Sequence, residues 1–235
     1  MKRSTVYAEM TIRSPFWLKR FSHGQRFLTA VQLLGPQPDD RILDYGSGDG
    51  NLLTMIHNKS PQTTCIGYEP MPGMYRQLVE NLGVSPEDRV QVVNSLSSLA
   101  KVDKIACLEV FEHLLPHDVD AALHDMRELL KSNGMVVVSV PLEVGPSSFL
   151  KNMVRMMLRQ GEDDATLRNL LKSLFGMKIT RMVYATHYGH MGFDHRKLER
   201  RFKALKWRIV RREFSPLPFT KAAINSQVFY VLKPL

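Results

Sequence analysis

The chain has little cysteine: two residues in 235, Cys65 and Cys107. So sparse a pair excludes a disulfide-stapled scaffold and a multi-cysteine metal ribbon. Both fall in segments that read as β-strands, so they are expected to be reduced core thiols. Long apolar runs are missing too, and no stretch is apolar enough to span a bilayer. Met1-Lys2-Arg3-Ser4-Thr5 carries charge with no apolar stretch behind it. No secretory signal is therefore expected, and the predicted location is cytoplasmic. Internal repeats and low-complexity tracts are lacking. So are two common phosphate-binding loops, G-x-G-x-x-G and the loop that ends in Gly-Lys-Ser/Thr.

Acid is scarce relative to base: 23 Asp and Glu against 32 Lys and Arg, a formal charge of +9. The imbalance is local. Residues 1–100 are nearly neutral and residues 101–140 are net acidic, whereas residues 141–235 hold 18 Lys and Arg against 7 Asp and Glu. A basic final third suits an anionic partner, such as nucleic acid, a phosphorylated glycan, a lipid head group or a membrane surface. A solvated basic face with no specific partner fits the same count. Hydrophobic residues make up 44% of the chain, enough for the core of one large α/β domain.

Strand and helix patterns alternate. Residues 15–34 read as an amphipathic helix, with Phe16, Leu18, Phe21, Phe27, Leu28, Val31 and Leu34 as its apolar positions. Strands are predicted at 41–45, 64–69, 90–93, 105–110 and 135–140. Helices are predicted at 51–58, 74–81 and 118–131. Such alternation indicates a parallel sheet covered on both faces. The pattern breaks after Pro141: two helices (147–160 and 165–174) follow without a strand between them. A loop rich in His, Tyr and Gly, 184–193, precedes a basic helix at 195–205. Strands at 207–214 and 227–232 close the chain as an antiparallel pair. The expected architecture is a Rossmann-like, doubly wound sheet of seven strands, mostly parallel with a C-terminal antiparallel hairpin. It forms a single domain over 1–235, with an N-terminal helical segment (1–35) and a helical insertion after the fifth strand (143–193).

The most informative stretch is Asp44-Tyr45-Gly46-Ser47-Gly48-Asp49-Gly50. A buried strand ends in an acid, then turns through three alternating glycines into a helix. Glycines there permit positive φ and a close approach of backbone to ligand. The helix N-terminus presents its amides. An acid ahead of the first glycine suits a cationic ligand better than a pyrophosphate. Glu69 ends the next strand in Ile66-Gly67-Tyr68-Glu69-Pro70, where a carboxylate can accept two hydroxyl hydrogen bonds.

This D-x-G-x-G-x-G segment resembles motif I of class I S-adenosylmethionine (SAM)-dependent methyltransferases, with the likeness extending over about residues 25–142. The resemblance implies SAM as cofactor, with Asp44 toward its ammonium, Gly46 and Gly48 beneath it, Glu69 on the ribose and Met71 against adenine. Members commonly carry Asp after the third strand. Here Val93-Asn94-Ser95-Leu96 stands there, so Ser95 or Asn94, and the Leu96 amide, are the candidate adenine contacts.

Glu109-Val110-Phe111-Glu112-His113-Leu114 resembles the Glu-x-x-Glu-His-Leu segment of the small-molecule branch of that family. Three readings stay open. His113, aided by Glu109, is a general base. Alternatively Glu109, Glu112 and His113 join His187 or His190 around a divalent metal, as in the small-RNA 2′-O-methyltransferases and the ubiquinone-pathway O-methyltransferases. Or Glu112 and His113 only cap and orient the loop. A helical turn would set Glu109 and His113 on one side.

On the acceptor side, Phe149–Arg159 places Lys151, Arg155 and Arg159 at four-residue intervals among Met and Leu. That pattern fits a lid packed on the domain or a surface that touches lipid. His187, Tyr188, His190 and Asp194, with Arg196, Lys197, Arg200, Arg201 and Lys203, fit the wall of a cleft for an anionic acceptor. Equally, Phe193 and Leu198 are core and the cations are solvated. The expected reaction is methyl transfer to an oxygen, in preference to a nitrogen, of a small-molecule, glycan or lipid-intermediate acceptor. A metal-dependent RNA 2′-O-methyltransferase and a non-catalytic SAM-binding or partner-binding protein are the alternatives.

Overall fold

A computed structural model describes residues 17–83, 89–143, 193–218, 220 and 225–235, with side chains of the first helix from residue 24 onward. The expected helices at 147–160 and 165–174, and the loop residues His187, Tyr188 and His190, lie outside the described residues.

The elements run α1 (Trp17–Leu34), β1 (Arg41–Tyr45), α2 (Asn51–Lys59), β2 (Thr64–Tyr68), α3 (Pro72–Leu82), β3 (Val90–Val93), β4 (Val102–Leu108), α4 (Pro116–Leu129), β5 (Leu130–Pro141), α5 (His195–Ala204), β6 (Trp207–Ser215) and β7 (Gln227–Pro234). The seven strands form one sheet in the order β3-β2-β1-β4-β5-β7-β6. β1 to β5 pair in parallel, and β7 runs antiparallel to both β5 and β6. The chain winds outward from β1 to β3, then crosses back to β4 on the other side of β1. That reversal opens a crevice beyond the carboxyl ends of β1 and β4, the general ligand position in open α/β sheets.

Strands buried on both faces need apolar runs rather than alternation. Neighbouring residues accordingly point into different core clusters. Leu43, Ile66, Cys107 and Tyr230 join the cluster under α4 and α5. Ile42, Cys65, Ala106 and Phe229 join the one under α1 and α2. Cys65 and Cys107 are thus free, fully buried and in separate clusters. Burial pushes the Cys65 thiol up to about 12.

Two of the boundaries that differ from expectation do so for a visible physical reason. The fourth helix stops at Leu129 rather than Lys131, because buried Leu130 already pairs with Val102. The strand register then jumps from Val102↔Leu130 to Lys104↔Met135. Gly134 makes that irregularity fit, since a Cβ there would stand 2.9 Å from the Asp103 carbonyl. β4 ends at Leu108 rather than Val110, because Glu109 takes a left-handed backbone, φ 56°. The inner face of α1 also differs. Arg26, Ala30, Leu33 and Leu34 are buried at i, i+4, i+7 and i+8, while Leu28 is 52% exposed. A charged residue therefore holds a core-facing slot of that helix.

Phe229 is fully buried at the centre of the cluster under α1 and α2. Phe229→Ala should cost about 3–5 kcal/mol. Urea unfolding should show that loss as a lower midpoint at unchanged slope.

Candidate active site at the carboxyl edge

The glycine turn is locked to the second strand. The amides of Gly46 and Ser47 both donate to the Tyr68 carbonyl, at 2.9 and 3.0 Å. The Gly48 amide donates to Glu69 Oε2 at 3.2 Å, and the Met71 amide to Glu69 Oε1 at 3.1 Å. One buried carboxylate thus ties two loops together, and each of its oxygens keeps acceptor capacity.

Gly46, Gly48 and Gly50 have φ of 84°, 54° and 81°. Beyond conformation, their surroundings differ. A Cβ on Gly46 would meet Val110 Cγ2 at 2.6 Å, and one on Gly50 would meet Leu78 and Leu82 below 3 Å. Those two glycines let neighbouring elements pack closely. At Gly48 nothing lies within 4 Å of such a Cβ, so its backbone borders open space. It is the glycine with room for a ligand against it.

Asp44 is the penultimate residue of β1 and is 3% exposed. Burial raises its pKa from the ordinary carboxylate value to about 7. A hydrogen bond with Ser47 and the charge of Arg26 pull the other way, while Asp49 and Glu69 add to the rise. Past β4, the Glu109 amide donates to the Ser139 carbonyl at 3.0 Å, and Ser139 Oγ donates to Glu109 Oε1 at 3.1 Å. Glu112 is fully buried. Its pKa is pushed well up, first by burial and then by the charge of Glu109, with Glu143 adding and Arg26 opposing.

Arg26 is the residue that sequence reasoning missed. Its Nη1 lies 3.7 Å from Glu109 Oε2, and its guanidinium sits 4.8 Å over the Phe27 ring. Its charge reaches Asp44, Asp49 and Glu112. The available signal was positional: residue 26 occupies the heptad-spaced stripe of 30, 33 and 34.

The other expected site residues divide clearly. Met71 stands 56% exposed at the start of α3, and Ser95 is exposed with its hydroxyl 3.0 Å from that of Ser97. Leu96 is half-buried against the core. The helical condition for aligning Glu109 with His113 is not met. Residues 111–113 form a turn in which the His113 amide donates to the Val110 carbonyl at 2.9 Å, and α4 begins only at Pro116. Among the described residues, no three His, Cys, Asp or Glu side chains gather as a metal site, Glu109, Glu112 and His113 included. Phe193 and Leu198 are buried in the core, as one of the two readings of that segment expects.

A family model described as a methyltransferase domain matches residues 16–211. The chain belongs to the methyltransferase domain family. An uncharacterized methyltransferase of Oceanobacillus iheyensis is 29% identical over 120 residues, covering 51% of this chain and 54% of the relative. The chain therefore aligns with about half the length of that relative. Among solved structures, a mycolic acid cyclopropane synthase complexed with S-adenosylhomocysteine (SAH) superposes with a TM-score of 0.57 at 16% identity, covering 83% of this chain and 64% of the other. The magnesium protoporphyrin IX methyltransferase of Synechocystis, with bound SAH, gives 0.56 at 12% identity, covering 94% and 88%. At such identities these likenesses establish the fold that this family member shares.

Two outcomes test the geometry. Glu109→Gly should be more stable than Glu109→Ala by about 1 kcal/mol, because both lose the carboxylate and only alanine retains the left-handed strain. Equilibrium unfolding of the two variants measures the difference. Asp44 has a folded pKa above its unfolded one, so its contribution to stability is full below about pH 4 and lost as the pH rises through about 7. Asp44→Asn should therefore stabilise the ligand-free protein at pH 8, by roughly 2–4 kcal/mol, and the gain should fade toward pH 4.

Proposed function

We propose that this methyltransferase-family protein uses SAM to methylate an oxygen, in preference to a nitrogen, of a small-molecule, glycan or lipid-intermediate acceptor. The observation that carries the reading is the pair of buried carboxylates, Asp44 and Glu69, near the carboxyl ends of adjacent parallel strands, with Glu69 accepting from the amide of Gly48, whose backbone borders open space. The residues fit the cofactor. A buried acid crowded by other acids favours a cation, and the methionine end of SAM carries an ammonium. Arg26, the cation beside the same acids, suits the carboxylate of that end. Glu69, already oriented by two amides, has lone pairs left for the ribose hydroxyls. Met71 and the segment Ser95-Leu96 border the position left for adenine.

When bound, SAM supplies an electrophilic methyl on a sulfonium. The chain's own residues place the acceptor for in-line approach and remove its proton. Holding the two groups at near-attack distance accounts for most of the acceleration. His113, on the turn beyond β4, is proposed as the base that takes the acceptor proton. Glu109, fixed by Ser139, is proposed to orient the reacting groups.

Calorimetry with SAM and SAH tests the reading at pH 8. Both should bind, and Asp44→Asn and Glu69→Gln should each weaken binding at least about tenfold, as expected for losing a charge-assisted contact. The wild-type affinity should fall as the pH drops through about 7, because ligand binding requires the ionised Asp44. Absence of heat from both nucleosides, or full affinity in both variants, overturns the proposal.

A further inference from the structure

We propose that the outer edge of the sheet, β6 with the solvent face of α5, is a docking surface for an anionic lipid bilayer. Residues 195–215 hold nine Lys and Arg against two acids, Glu199 and Glu213. α5 buries Leu198 and Phe202, which turns Lys197, Arg200 and Lys203 outward. β6 is the last strand, bonded on one side only. Arg208 and Arg211 are exposed along it, on the face away from α5, since they lie opposite Lys233 and Val231 while Arg212, opposite Tyr230, faces the helix, so the edge carries cations on both sides. Some of these charges are matched: Arg212 by Glu199 at 3.3 Å, Arg211 by Glu213 at 2.6 Å, and Arg201 by Asp120. Among the described residues, no carboxylate lies within ion-pair distance of Lys197, Arg200, Lys203, Lys206 or Arg208.

Exposed aliphatic side chains are spaced along the same edge, at its start, middle and end. Val210 is 45% exposed at the register irregularity between Ile209 and Arg211. Leu235, 72% exposed, donates its amide to the Lys206 carbonyl at 3.0 Å and so stands beside that lysine. Leu217, 45% exposed, is braced by buried Asn225: its amide donates to Asn225 Oδ1 at 2.8 Å, and Asn225 Nδ2 donates to its carbonyl at 3.1 Å. An apolar residue presented to solvent on a backbone fixed this way is organised, not loose.

Protection of an edge strand by charge accounts for Arg208 and Arg211. It accounts neither for the cations of α5 nor for the three exposed aliphatics. A single-stranded nucleic acid surface would pair the cations with exposed aromatic platforms. The large exposed hydrophobics among the described residues are all Leu, Met or Val, and Trp207 is buried. Aliphatics flanked by long cations suit the head-group and acyl boundary instead. β6 runs parallel to β5, since both oppose β7, so Leu217 lies at the end of the sheet that carries the candidate active site. This surface is independent of the proposed reaction and is tested without it.

The experiment is co-sedimentation of the full chain with vesicles of phosphatidylcholine alone or with about one-third phosphatidylglycerol, at about 0.1 M and 1 M salt. Binding should require the anionic lipid and should be strongly weakened at high salt. Each cation near such a surface strengthens binding about fivefold, so the triple variant Lys197→Glu, Arg200→Glu, Arg208→Glu should lose at least about a hundredfold. The double variant Leu217→Ser, Leu235→Ser should weaken vesicle binding at unchanged net charge. Circular dichroism and SAH calorimetry verify that each variant is folded. Three outcomes overturn the proposal: equal association with neutral and anionic vesicles, no association with either, or an oligonucleotide that displaces the vesicles and binds the Leu-to-Ser variant undiminished.

Discussion

One edge of this sheet carries more buried negative charge than a low-dielectric interior tolerates unaided. Asp44 is the penultimate residue of β1, Glu69 follows β2, Glu112 follows β4 and Glu143 follows β5, and none is more than 4% exposed. Buried ions must be paired, hydrogen-bonded or neutralised. Each answer is used here. Glu69 is held by two amides. Asp44 and Glu112 keep their protons to far higher pH than ordinary carboxylates. Arg26 supplies the countercharge that reaches several of them.

That countercharge comes from outside the parallel core of the fold. Arg26 lies on α1, whose Ala30, Val31, Leu33 and Leu34 pack in the same cluster as Leu52, Leu53 and Ile56 of α2. α2 in turn begins at Gly50, the end of the glycine turn. The helix that neutralises the edge and the helix that presents the turn therefore share one apolar interior. Movement of α1 would change both the packing under the turn and the charge beside Asp44. The first helix is thus part of the site in two senses, mechanical and electrostatic.

The central strands were legible in the sequence because their physics is local. Arg41–Tyr45 and Val90–Val93 were predicted with their observed limits, since a run of apolar residues bounded by turn signals says enough. The positions of Asp44 and Glu69 were legible for the same reason: each ends such a run. What failed depended on long-range terms. The positive φ of Glu109 is supported by Ser139, thirty residues away, so nothing near residue 109 announces the end of β4. Leu130 leaves the helical pattern because Val102 waits beside it. Arg26 reads locally as a polar-face residue, and only the distant acids explain why a guanidinium sits in an apolar stripe.

The chain's uneven charge then has a spatial meaning. Acid collects where β1, β2, β4 and β5 end, and base collects on β6 and α5. From β1 to β6 there are four strand spacings, about 19 Å, and from β5, which Glu143 follows, two, about 10 Å. At physiological ionic strength the screening length is about 8 Å. Charges that face water at the two places therefore interact weakly, and the acidic centre can favour a cationic ligand while the outer edge attracts an anionic surface. Had the two sets been adjacent, the arginines of β6 would have closed ion pairs across the cleft and removed both fields. The antiparallel β7, almost wholly apolar from Gln227 to Leu232, is the spacer that keeps them apart.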